Sequence, residues 1–306
     1  MPKPIYLPKK VNSVNKNRET ARMRKEYTLG LYEKSMPNEL LWKEKLLAAK
    51  EAGFDFVEIS IDETDEKLAR LEMSAKERLE LLHLMQEVNV PIRTMCLSGH
   101  RKYPIGSSDP AVCARGMELM EKALCFADDL GIRIIQLAGY DVYYEESTFE
   151  TKKRFLENLK KATEMAAQYG IVMGFETMET EFLNTVEKAM KYVTLVNSPY
   201  LNIYPDLGNI TNAADTYKND VLEDIELGRG HTVAMHLKET VPGKFREIPF
   251  GTGYVDFLSG AKKAWELGVR KYVTEFWYTG NSEWKADLKF ANEMFTKILD
   301  SCQEEQ

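Results

Sequence analysis

From Tyr27 onward the chain alternates between two kinds of segment. Short apolar and β-branched runs lie at 27–31, 56–60, 92–97, 134–137, 172–176, 201–205, 233–237 and 272–276. They are of strand length and nearly continuous in apolarity, the pattern of strands covered on both faces. Between them stand longer stretches of helical period, among them 40–52, 75–89, 111–130, 151–169 and 287–299. In the first, Leu40, Leu41, Leu46 and Leu47 form an apolar stripe against Lys43, Glu44 and Lys45. Gly53, Gly131, Gly170 and Gly268 each fall between a helical stretch and the next apolar run. A helix C-terminus at that place favours a residue with positive φ. The segment between Asp206 and Gly230 is the weakest, with helical character only over 221–227.

Eight strand–helix alternations in about 275 residues predict an α/β chain folded as one (β/α)8 TIM barrel. A doubly wound open sheet competes with it, but no GxGxxG follows an early strand. No linker or low-complexity boundary interrupts 27–300. The division is therefore a basic N-terminal extension, 1–26, and a single barrel catalytic domain, 27–306.

Charge sharpens that division. Residues 1–25 carry eight Lys/Arg and one acid, Glu19, leaving 33 basic and 47 acidic side chains elsewhere, a net −14. An acidic body does not suit nucleic acid, whose phosphates call for a basic surface. The basic leader has no apolar core of the kind a secretory signal carries. No run approaches the ~18 apolar residues of a membrane helix. Four cysteines without a CxxC read as reduced thiols of a cytoplasmic protein.

In a barrel of this kind the chemistry sits at the C-terminal ends of the strands. The fifth run ends in Glu176, the sixth in Asp206, the seventh carries His236 near its end, and the eighth carries Glu275. Their spacings of 30, 30 and 39 residues are each about one strand–helix unit. Four metal-type ligands at equivalent positions on consecutive strands, ~4.8 Å apart, can converge on one ion. Three carboxylates and an imidazole suit one divalent cation: Mn²⁺, Co²⁺, Zn²⁺ or Mg²⁺. His231 is set aside as structural, because its five-residue offset puts it on the opposite face and ~16 Å below the rim. His83, inside LELLHLM, is read as a packed helix histidine. Glu176 and Glu275 stand at the two ends of the constellation. Such a pair can remove a proton from one face of a carbon beside a ketone and return one to the other, through an enediolate stabilised by the cation.

The strings LGLYEKSMP, GFDFVEISIDETDEKLARL, MCLSGHRKYPIGS, IRIIQLAGYDVYYEE, YPDLGNI, AMHLKET, PFGTGYVDF and TEFW carry a specific resemblance. They resemble the L-ribulose-5-phosphate (L-xylulose-5-phosphate) 3-epimerases of the L-ascorbate utilisation pathway, within the xylose-isomerase-like barrel superfamily. The resemblance runs from about Leu29 to the C-terminal helix and leaves out 1–26. It implies that Glu176, Asp206, His236 and Glu275 hold the metal, with the two glutamates as acid and base. It also implies interconversion of L-xylulose 5-phosphate and L-ribulose 5-phosphate. The competing readings are an aldose–ketose isomerase on the same metal site, a repair endonuclease of the same barrel type, and a non-catalytic sugar-phosphate-binding barrel. Four histidines and an acidic body speak against the endonuclease. The intact glutamate pair speaks against a mere binder.

A sugar phosphate also needs contacts away from the metal. His100, Arg101 and Lys102 after the third run, and Lys238 two residues past His236, are the candidates for substrate or phosphate. Gly251–Gly253 is a weaker phosphate loop. Glu58, at the end of the second run, is a candidate for substrate hydroxyls. Tyr140, Tyr143, Tyr144 and Trp277 are candidate pocket walls. The acidic run 62–66 is read as a solvated helix start. The expected partner is a small sugar phosphate, with no nucleic acid and no membrane, and the expected assembly is a homodimer.

Overall fold

A computed structural model describes residues 24–305, so residues 1–23 of the basic extension lie outside the described residues. In chain order the elements are β1 (Thr28–Tyr32), α1 (Trp42–Glu51), β2 (Phe56–Ile61), α2 (Asp65–Ala69), α3 (Ala75–Val88), β3 (Ile92–Leu97), α4 (Pro110–Leu130), β4 (Ile134–Ala138) and α5 (Phe149–Tyr169). The second half comprises β5 (Val172–Glu176), α6 (Val186–Val196), β6 (Leu201–Ile203), α7 (Leu207–Tyr217), α8 (Val221–Glu226), β7 (Met235–Leu237), α9 (Phe257–Glu266), β8 (Lys271–Thr274) and α10 (Trp284–Glu304). The strands run parallel in the order β6-β5-β4-β3-β2-β1-β8-β7. The ring closes between β6 and β7, where Ile203 bridges Thr232 and Asp206 bridges His236. Across that seam the Ile203 N–H donates to His231 O at 2.9 Å and the His236 N–H to Pro205 O at 2.9 Å. The predicted (β/α)8 barrel is the observed fold.

Two apolar layers hold it. The outer one lies between strands and helices and contains Val57, Ile59 and Ile61 of β2 together with helix residues such as Leu119, Leu124 and Phe295. The inner one fills the barrel with Tyr32, Phe56, Cys96, Tyr204, Ala234 and Val273. Phe56 requires glycine beside it: a Cβ on Gly30 would stand 2.4 Å from the Phe56 ring. The predicted helix ends are confirmed by Gly131 (φ 72°) and Gly170 (φ 64°), each in the left-handed conformation after its helix.

Two local readings are corrected. Helix α7 occupies 207–217, where the sequence showed no helical pattern. Gly208, Asn209, Thr211 and Asn212 are poor helix formers, but Leu207, Ile210, Ala213 and Ala214 are buried and tertiary packing outweighs propensity. His83 is exposed on α3 rather than packed.

The turn after β1 is anchored by charge. Glu33 is fully buried, and its carboxylate meets Lys67 at 2.7 Å, Arg70 at 2.5 Å and Lys45 at 3.4 Å, while accepting from the Ser60 N–H at 2.9 Å. Burial alone would raise this carboxyl, but Arg70, Lys45 and Lys67 carry it down to about 2. Removing one member of such a cluster leaves buried charge uncompensated. Replacement Glu33→Gln is expected to cost about 3–5 kcal/mol of stability at neutral pH. Because the folded-state value lies below the ordinary 4.5, this contribution is complete above about pH 4.5 and lost as pH falls towards about 2. Paired thermal melts should therefore converge in that window, and a difference independent of pH would refute the assignment.

Candidate metal and proton-transfer site

Four side chains reach one point above the inner layer. Glu176 ends β5, Asp206 follows β6, His236 is the middle residue of β7, and Glu275 follows β8. All four are buried, and one ligand atom from each lies within 4.8 Å of the others. His236 Nδ1 is 3.1 Å from Glu176 Oε1, 3.2 Å from Glu275 Oε2 and 3.9 Å from Asp206 Oδ2. The structure thus brings together the four residues that strand spacing selected.

Three of the four are oriented from behind. Asp206 caps α7: its Oδ1 accepts from the Asn209 N–H at 2.6 Å, which turns Oδ2 towards the site. The Gln136 amide on β4 donates to Glu176 Oε2 at 2.5 Å. His236 Nε2 lies 2.6 Å from Glu58 Oε1, within hydrogen-bond distance. Lys238 is buried beside the cluster, 3.3 Å from Asp206 Oδ2 and 3.5 Å from Glu275 Oε2. Even so, Asp206 Oδ2 and Glu275 Oε2 are buried oxygens with no hydrogen-bond partner. Two orphaned carboxylate oxygens converging with an imidazole nitrogen form a donor set that a divalent cation satisfies.

The electrostatics separate the carboxylates. Burial raises the Glu176 carboxyl, and the neighbouring Glu275 charge raises it further. Burial would also raise Glu275, but Lys238 and His236 hold it well below its ordinary range. Asp206 is raised well above its ordinary value by burial, with Lys238 opposing. Lys238 shows the converse: burial lowers it, and Asp206 and Glu275 more than restore it.

Not every sequence candidate reaches the pocket. Glu58 is fully buried inside the barrel and spends both oxygens on His236 and Tyr204, so it cannot meet substrate hydroxyls. His100 sits in a short 3₁₀ turn that rotates its ring onto α4, where Nε2 contacts Gly116 O at 3.0 Å. Burial lowers that imidazole to about 4, so it stays neutral and offers no charge for phosphate. Lys102 is turned outward to Asp65 at 3.1 Å. Gly251–Gly253 closes on Glu239, a carboxylate, which disqualifies it as an anion loop. In the acidic run Thr64 does cap α2, but Asp62 is buried against Lys34 rather than solvated.

Arg101 and Lys238 do line the pocket, as does Trp277. Tyr140 and Tyr143 lie under the Arg101 guanidinium, while Tyr144 stays exposed and hydrogen-bonds to Glu63. Sequence reading missed Lys34, Gln136 and Arg246. Arg246 reaches the pocket from the loop after β7 and pairs with Glu179 at 3.0 Å, and Arg101 approaches the same Glu179 at 3.9 Å. A basic residue in a long loop leaves no periodic signal. Gln136, being the polar member of an otherwise apolar strand, left one that was not used.

The sequence matches the xylose isomerase-like TIM barrel family over residues 46–294. It is 47% identical over 254 residues to the L-ribulose-5-phosphate 3-epimerase UlaE of Escherichia coli O139:H28, covering 83% of this chain and 88% of the relative. The same figures hold for the protein of that name from Shigella sonnei. The motif resemblance is thereby borne out. Among solved structures, an L-ribulose 3-epimerase superposes with a TM-score of 0.73 at 19% identity, covering 91% of this chain and 96% of that one. The D-allulose 3-epimerase of Methylomonas sp. gives 0.73 at 19% identity, covering 90% and 98%. At that identity the structural likeness concerns the fold.

His236→Ala is expected to abolish stoichiometric uptake of Mn²⁺ or Co²⁺, whereas His231→Ala, at an exposed position in the loop before β7, should leave it intact. Metal analysis after dialysis distinguishes the two, and unchanged binding by His236→Ala would remove this histidine from the site.

Proposed function

Because the chain belongs to the xylose isomerase-like TIM barrel family, we propose that it is a divalent-metal-dependent 3-epimerase interconverting L-xylulose 5-phosphate and L-ribulose 5-phosphate. The observation that carries this reading is the glutamate pair, Glu176 and Glu275. They meet one histidine nitrogen from non-neighbouring strands, in a chain 47% identical to L-ribulose-5-phosphate 3-epimerases. Glu176, Asp206, His236 and Glu275 would hold the ion, which when bound supplies electrophilic polarisation of the substrate ketone.

The chain's own residues handle the proton. One glutamate takes the C3 proton, the C–H electron pair moves towards the C2 carbonyl oxygen, and the other glutamate returns a proton to the opposite face. The carbonyl reforms and C3 is inverted. Environments that push two carboxyls apart assign one to donate and one to accept. Lys238 and His236 hold Glu275 low, which suits it to accept the proton, and burial raises Glu176, which suits it to donate one. The reverse reaction exchanges these roles.

The substrate's phosphate is placed at the mouth, where Arg101 and Arg246 flank Glu179 and Lys34 pairs with Asp62. Two guanidiniums from opposite loops offer the planar donors that phosphate oxygens match. Trp277 lies beneath Arg246 and Lys238, each 5.8 Å from its ring, and forms the pocket wall. No described helix is long and apolar enough to cross a membrane. The proposal keeps the cytoplasmic location and the homodimer expected from the sequence.

Proton NMR of L-xylulose 5-phosphate in D₂O with metal-loaded protein tests the reaction. Deuterium at C3 with L-ribulose 5-phosphate appearing is the expected result, and exchange confined to C1 would make the protein an aldose–ketose isomerase. Glu176→Gln and Glu275→Gln should each lower turnover by about 10²–10⁴-fold. Wild-type turnover in either would end the two-glutamate mechanism.

A further inference from the structure

The sequence raised Glu58 as a substrate contact, and its actual surroundings are unusual. It lies in β2 with no exposed surface, pointing into the barrel among Tyr32, Phe56, Cys96, Tyr204, Ala234 and Val273. A carboxylate in such a place is costly unless each oxygen is satisfied. Both are. Oε1 lies 2.6 Å from His236 Nε2 and Oε2 accepts from the Tyr204 hydroxyl at 3.0 Å. Among the described residues its ion pair is with His236 and with no lysine or arginine.

That imidazole has little freedom left. The Tyr204 ring packs against it with centroids 4.7 Å apart. Nε2 faces Glu58, and Nδ1 is the nitrogen turned to Glu176, Asp206 and Glu275. A carboxylate behind a ligating histidine fixes its tautomer and ring orientation and raises its basicity as a ligand. We propose that Glu58, itself held by Tyr204, is a positioning residue that keeps the proton of His236 on Nε2 and so presents Nδ1 to the metal. The role rests on the metal-dependent reading of this site.

The test uses the full chain loaded with Zn²⁺ for NMR and with Mn²⁺ for calorimetry. In the wild type, ¹⁵N shifts of His236 should show Nε2 protonated and Nδ1 bound to Zn²⁺. Glu58→Leu removes the acceptor and should weaken Mn²⁺ binding by about 10–100-fold, the usual effect of losing such a partner. Glu58→Gln keeps an acceptor oxygen and the side-chain volume, so it should keep the tautomer with a smaller loss. Circular dichroism and melting of the metal-free variants report folding separately, and where Glu58→Leu does not fold, the Gln variant and the wild-type tautomer decide. A wild-type His236 protonated at Nδ1 overturns the proposal, as does Mn²⁺ affinity unchanged within twofold in folded variants. Wild-type protein that takes up no divalent ion overturns the metal centre as well.

Discussion

Four carboxylates, Glu58, Glu176, Asp206 and Glu275, surround one buried imidazole with a single lysine beside them. That crowding is the constraint on which the rest of the site depends. Like charges at such separations, shielded from water, cannot all stay ionised without a counter-charge. The protein answers in part with Lys238 and with hydrogen bonds from Gln136, Asn209 and Tyr204. The remaining imbalance is one that a divalent ion could neutralise, and it pushes the two glutamate carboxyls apart. The apolar inner layer beneath them keeps the local dielectric low, which strengthens both effects.

The barrel supplies the convergence, and the rim supplies the selection. Strand ends deliver Glu176 and His236, and the residues just past β6 and β8 deliver Asp206 and Glu275. The loops bring cations from separate parts of the chain: Lys34 after β1, Arg101 after β3 and Arg246 after β7. The first of these depends on Glu33, whose buried pairing with Lys45, Lys67 and Arg70 ties the turn after β1 to α1, to α2 and to the residue just beyond α2. Lys34 is the next residue along. A fold-stabilising cluster and a pocket cation thus share one turn.

Much of this was legible in the sequence, for identifiable reasons. Near-continuous apolar runs marked all eight strands, because both faces of a barrel strand are covered. Repeat spacing then selected Glu176, Asp206, His236 and Glu275. Glu58 was seen but misjudged. A register irregularity between Val57 and Glu58 sits at that point, and the side chain turns inward with Phe56, where no substrate reaches. His100 and Lys102 were drawn away by a 3₁₀ turn that sequence charge does not reveal. Helix α7 was hidden because its stability comes from buried contacts and a cap rather than from propensity. Arg246 was hidden because loops have no period.

Asp206 is a helix cap and, in the proposed metal site, also a ligand, and the pairing has a thermodynamic consequence. One oxygen is occupied by the first turn of α7, and the other faces the point where the ligands meet. The cap hydrogen bond restricts the rotamers of this carboxylate once the helix has formed. The entropy of orienting this ligand is therefore lost when the chain folds and not when an ion arrives. Ion binding there would begin with this carboxylate already held by α7.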